Sequence, residues 1–124
     1  MSRLSRGELE AVLANALLRF EKEQLGRGPV EIKAFLIENI VLIMAHGVLT
    51  PEETALLAVP QGPALVRQIR QQLLEASRSR LVSIVQGATG CQVRSVLSDI
   101  DVPASDCVFV FVLDERLDER YGWR

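Results

Sequence analysis

The chain is poor in the residues that build a dedicated chemical site. Its 124 residues include one histidine, two cysteines, one tyrosine, one tryptophan and four phenylalanines. A zinc site wants about four nitrogen or sulfur ligands at close spacing, and His46, Cys91 and Cys107 do not supply them. The two cysteines head two successive strands and are expected too far apart to bond, so both read as packing residues of a reducing compartment. Long apolar runs are missing too. Ile40 to Ala45 and Val108 to Leu113 are six residues each, against about twenty for a spanning helix. The start, Met1 to Gly7, leads into no signal-peptide core, so a cytoplasmic location is expected. A net charge of −2 and a pI near 5.4 give no general pull toward nucleic acid. No repeat or low-complexity stretch breaks the chain. One domain over residues 1–124 is expected, with a short flexible start at about 1–4 and a charged tail at about 114–124.

What is present is regular patterning. Leu9, Val12, Leu13, Ala16, Leu17 and Phe20 recur at helical spacing, predicting a helix from about Ser5 to Leu25. Ser5 and Glu8 have the form of a capping box, and Gly26 supplies a left-handed stop. Two strands follow, about Val30–Ile37 and Ile40–Ala45, around a tight Glu38-Asn39 turn in which Asn tolerates positive φ. Ile32, Ala34 and Leu36 share one face of the first strand. Thr50-Pro51-Glu52-Glu53 opens a short helix with cap, first-turn proline and closing glutamate. Pro60, Gly62 and Pro63 end it. A long helix is predicted from about Ala64 to Gln86, with Val66, Ile69, Leu73, Ala76, Leu81 and Ile84 as its core stripe. Strands at about Cys91–Leu97 and Cys107–Leu113 close the pattern, separated by a Ser98–Asp106 loop.

The order helix-strand-strand-helix-helix-strand-strand predicts an α+β domain, a four-stranded mostly antiparallel sheet packed against helices. Val41, Ile43, Phe109 and Phe111 add a second apolar face to the central strands. Helices on one side cannot cover both faces, so a partner is expected there, most simply a second copy of the chain.

Charge is unevenly spread. Arg67, Arg70, Arg78, Arg80 and Arg94 give the middle of the chain an excess of positive charge, while the tail is acidic. With Arg27, exposed between Gly26 and Gly28-Pro29, these arginines are the candidate partner or anion contacts. The glycine loop itself is no phosphate cradle, because such loops lead from a strand into a helix and this one runs the other way. Ser98, His46 and Asp99 could be drawn as a catalytic relay, but no nucleophile elbow marks it. Ser98 and Asp99 are read instead as opening a loop through their own backbone, and His46 as a strand-end surface residue. No enzyme activity and no cofactor is expected.

GRGPVEIKAFL, HGVLTPEE, LVRQIRQQLLEASRSRL, GCQVRSVLSDID and VFVFVLDERL occur in this order. Together they resemble the bacterial Na-translocating membrane potential-generating system MpsC domain family, over about Leu9 to Leu117. The most specific parts are Gly26, Gly28 and Pro29, the Gly47-to-Pro51 segment that contains Thr50, and Ser98-Asp99-Ile100. The resemblance implies an accessory component linked to a membrane ion or bicarbonate transport system. Together with the two-faced sheet and the lack of a catalytic constellation, it leads to the expectation of a non-enzymatic adaptor or regulator. Two alternatives stand beside it. The element order is reminiscent of BolA and type II KH modules, with the Arg-rich helix meeting phosphates, though Gln61-Gly62-Pro63 rather than a Gly-x-x-Gly clamp joins the two central helices and nucleic acid is not the expected partner. A small-anion sensor using Arg27 and the central arginines is the other.

Overall fold

The computed structural model describes residues 3–123. Helix α1, Arg6–Leu25, starts where Ser5 and Glu8 cap each other reciprocally: Glu8 N donates to Ser5 Oγ at 3.1 Å and Ser5 N to Glu8 Oε1 at 2.9 Å. Strands β1 (Glu31–Ile37) and β2 (Ile40–His46) form a hairpin. Its turn puts positive φ on Glu38 rather than Asn39, whose side chain instead donates to Leu113 O at 3.1 Å. Helix α2, Pro51–Leu56, has the expected Thr50–Glu53 box. Helix α3, Gly62–Thr89, is followed by β3 (Val93–Asp101), β4 (Asp106–Leu113) and a short α4 (Leu117–Tyr121). The sheet order is β1-β2-β4-β3, antiparallel throughout. The α+β architecture and the element order follow the sequence reading, with α4 added.

Several local expectations are corrected. Helix α3 runs through Gly87 to a left-handed Gly90, because one glycine inside a helix costs only about 1 kcal/mol. Its buried stripe is Val66, Ser77, Leu81, Val85 and Thr89. Ile69 and Ala76 are exposed instead, and so is Val12 of α1. Ser98 and Asp99 do not open a loop: they lie within β3, opposite Phe109 and Val108. The turn is made by Val102 to Ser105, where Asp101 Oδ1 accepts from Ala104 N at 3.1 Å and Ser105 takes positive φ. The charged tail is folded as far as Trp123. Leu117 is buried, Tyr121 donates its hydroxyl to Thr89 O at 2.9 Å, and Trp123 donates Nε1 to Leu4 O at 3.0 Å.

The two faces of the sheet are the reverse of the expectation in one respect. Val41, Ile43, Phe109 and Phe111 belong to the helix-covered core, with Leu9, Leu13 and Leu17 of α1 and Leu81 and Val85 of α3. The tight hairpin dictates this, since it sets Leu36 opposite Val41 and Ala34 opposite Ile43. Residues opposite each other point to the same side of a sheet. The uncovered side is therefore formed by the alternate residues.

Candidate functional site

That uncovered side is organised in rows across all four strands. From one end they are Glu31, His46, Asp106 and Asp101; then Lys33, Met44, Val108 and Asp99; then Phe35, Leu42, Val110 and Leu97; then Ile37, Ile40, Val112 and Ser95. The first two rows carry the charges and the last two are almost wholly apolar. Phe35, Ile37, Met44 and Leu97 are exposed, Leu97 at 60%. A face of this size left in water is uncommon on a stable monomer. Its charged end is internally paired: Lys33 Nζ lies 3.0 Å from Glu31, and His46 Nδ1 lies 2.5 Å from Asp106 Oδ1.

The sheet edges are treated differently. On β1, Leu36 O accepts from Arg6 Nη1 at 2.6 Å and Leu36 N donates to Glu10 Oε2 at 3.0 Å. On β3, Ile100 O accepts from Arg67 Nη1 at 2.7 Å and Val96 O from Arg78 Nη1 at 3.3 Å. Side chains of α1 and α3 thus occupy backbone groups that an added strand would need, a common guard against edge pairing. The open surface of this domain is the face of its sheet.

This accounts for several of the arginines singled out from sequence. Arg67 also meets Asp99 at 2.6 Å, Arg78 meets Glu75 at 2.9 Å, and Arg80 meets Glu23 and covers the Phe20 ring. Arg70 is buried. Arg27 sits in the α1–β1 loop and Arg94 at the irregular start of β3. Gly26, Gly28 and Pro29 form that loop, and a side chain at Gly28 would meet Leu18 at 2.7 Å. Gly47 takes φ 68° against Val30, which only glycine does without strain.

The sequence reading missed a second feature, a buried charge cluster under α1 and α3. Arg70 donates Nε and Nη2 to the two oxygens of Glu53, at 2.8 and 2.7 Å, and Nη2 also reaches Val48 O at 2.6 Å. Its Nη1 is 3.8 Å from Glu21 Oε2, beyond hydrogen-bond reach. Burial pushes Glu53 up, but the bonds from Arg70 and Thr50 outweigh it and hold its carboxyl below the ordinary range. Burial pushes Glu21 up as well; the Arg70 charge only partly offsets this and Glu53 adds to it, so Glu21 stays raised. Glu21 and Arg70 line a cavity of about 50 Å³ with Gln24, Ser77, Ser98 and Cys107, walled by Phe20, Leu74, Leu81 and Phe109. That is room for about one or two waters. The missed signal was there to read. Glu21 continues the four-residue ladder of Leu9, Leu13 and Leu17, and Arg70 follows Val66 at the same step.

Chemically this cluster is quiet. Burial drives the Cys107 thiol up to about 11, so it is no thiolate at neutral pH. Cys91, unbonded like Cys107, is likewise pushed up to about 11 by burial. Ser98 faces the helices while Asp99 and His46 lie on the opposite side of the sheet, so these three form no relay. Among the described residues no group of three or more His, Cys, Asp or Glu could hold a metal ion. No helix there is long and apolar enough to cross a membrane.

Comparison with known proteins agrees with the resemblance seen in the sequence. A family model described as Na+-translocating membrane potential-generating system (MpsC) matches residues 5–115. The chain is 29% identical over 115 residues to the uncharacterized protein YbcI of Bacillus subtilis (strain 168), covering 93% of each chain. It is 27% identical over 103 residues to the uncharacterized protein YrhF of the same organism, covering 82% of this chain and 84% of that one. No solved structure matches it.

Proposed function

The chain belongs to the MpsC family, and from that premise we propose that it is a non-enzymatic, cytoplasmic accessory protein that acts as a homodimer. In this reading it serves a membrane-embedded ion transport system as an adaptor and translocates nothing itself. The observation that carries the proposal is the contrast between edges partly occupied by helix side chains and the open face of one sheet. Edge groups are occupied by Arg6, Glu10, Arg67 and Arg78, while Phe35, Ile37, Met44 and Leu97 stand in solvent. Burying such side chains is worth about 25 cal/mol per Å² of apolar surface. A second sheet brings the right shape, since sheets stack face to face at about 10 Å. The quiet chemistry of the buried cluster supports the non-enzymatic part, and the family description supports the membrane system.

The adaptor role is tested by fractionation. The tagged chain, expressed in its source bacterium and released by gentle lysis, is expected to sediment in part with membranes. Detergent should then free it together with an integral membrane protein. A chain found wholly in the supernatant, with no such companion, would contradict the role.

A further inference from the structure

Resting on the homodimer reading above, we infer that the two copies meet face to face about a twofold axis running nearly parallel to the strands between β2 and β4. Each β1 then lies over the partner's β3, and Lys33 stands opposite Asp99 of the second copy.

The rows decide between the symmetric arrangements. Face-to-face packing of two identical sheets requires a twofold axis lying in the interface, so each patch meets itself in a rotated copy. An axis perpendicular to the strands lays the first row on the fourth. Glu31, His46 and Asp106 then sit on Ile37, Ile40 and Val112 of the other copy, and Lys33 and Asp99 sit on Phe35 and Leu97. Such an interface takes charges out of water without partners, which is costly. A diagonal axis, as in orthogonal packing, sets a charged corner on its own copy: Glu31 on Glu31, or Asp101 on Asp101.

The axis along the strands keeps each row on the same row. Phe35 meets Leu97, Leu42 meets Val110 and Ile40 meets Val112, so the apolar half closes on itself apart from Ile37 on Ser95, and Met44 meets Val108 beside it. In the charged half, Lys33 meets Asp99 and His46 meets Asp106, each twice by symmetry. One opposition is unfavourable, Glu31 against Asp101. It falls at an outer corner open to water, where Lys33 already lies 3.0 Å from Glu31. Strands about 4.8 Å apart and rows about 6.8 Å apart give a footprint of about 500 Å² per copy. The total of about 1,000 Å² is where specific interfaces begin. Aligned sandwiches of this kind keep their strands within about 30° of one another.

Cross-linking reads the axis directly. Phe35→Cys and Leu97→Cys are made in separate chains, and each is treated alone and in an equimolar mixture with a short bis-maleimide. The native thiols of Cys91 and Cys107 are buried and serve as silent background. The expected result is a covalent dimer in the mixture and little in either variant alone. A Phe35→Cys chain that links to itself as efficiently as the mixture does overturns the axis while leaving the homodimer intact. A wild-type chain of monomer mass, with no link in any sample, removes the homodimer reading itself.

Charge reversal gives a second test independent of thiol chemistry. Lys33→Asp and Asp99→Lys should each weaken the dimer about tenfold, and the double variant should return to within about threefold of wild type. Additive loss in the double variant would contradict the Lys33–Asp99 pairing.

Discussion

Arg70 grips Glu53 with two parallel hydrogen bonds, Nε to Oε2 at 2.8 Å and Nη2 to Oε1 at 2.7 Å, where both side chains are about nine-tenths buried. The pair ties the start of α2 to the third turn of α3. Its remaining donor faces Glu21 of α1 without bonding it. One guanidinium therefore serves two buried carboxylates unequally. Removing it leaves both uncompensated, so Arg70→Met should cost about 3–5 kcal/mol in chemical denaturation. Arg70→Lys should cost less but still lose the forked geometry. A loss under about 1 kcal/mol for Arg70→Met would mean the cluster is solvated.

Glu21 and Glu53 should give the fold opposite responses to pH. Glu53 is held below its ordinary 4.5, so its contribution is present above 4.5 and is lost as pH falls through its depressed value. Glu21 is raised above 4.5, so its contribution is full below 4.5 and is lost as pH rises through its folded value. Glu21→Gln removes the second effect. The variant's Tm should exceed wild type at pH 7, with the gap narrowing by pH 4. A gap that is constant across that range would show that Glu21 titrates normally.

The tail should contribute to stability rather than dangle. Tyr121→Phe loses the bond to Thr89 O and should cost about 1 kcal/mol. Trp123→Ala loses the stack on Tyr121, the Arg6 contact and the bond to Leu4 O, and should cost about 2 kcal/mol. Equilibrium urea unfolding measures both; unchanged midpoints would mean the tail is undocked in solution.

Two glycines of α3 should respond with opposite sign. A Cβ at Gly62 would lie 1.5 Å from Leu56 O, a backbone atom that cannot step aside. Gly62→Ala should therefore cost about 2–4 kcal/mol. Nothing stands within 4 Å of a Cβ at Gly87. Gly87→Ala should stabilise by about 0.5–1 kcal/mol. Thermal melts of the two variants decide it, and a shared sign would contradict the packing at the α2–α3 joint.

The element order was legible because caps and breakers are local. Ser5–Glu8, Thr50–Glu53 and Gly26 act within a few residues, and the strands show as apolar runs. The parity of the sheet was harder to read, since β2 and β4 are apolar on both sides. Only register across the hairpin, Leu36 against Val41, says which side is core. The buried cluster was harder to recognise for a related reason, although Glu21 and Arg70 continue four-residue ladders of buried positions. Glu21 and Arg70 read as surface charges until α1, α2 and α3 come together. Ile69 and Ala76 fit a helical stripe as well as Arg70 and Ser77 do, and only the position of α1, with Gln24 donating to Ser77 Oγ, selects between them.

The most direct test of the account is solution mass by sedimentation equilibrium, for wild type and Val110→Lys side by side. Val110 sits at the centre of the open face, between Leu42 and Leu97, and takes no part in the core beneath. The account predicts a wild-type mass of twice the chain's 13.8 kDa at about 100 μM, in low and high salt alike, and a monomer for Val110→Lys with an unchanged circular dichroism spectrum. A monomeric wild type, or a Val110→Lys chain that dimerises as well as wild type does, would contradict it.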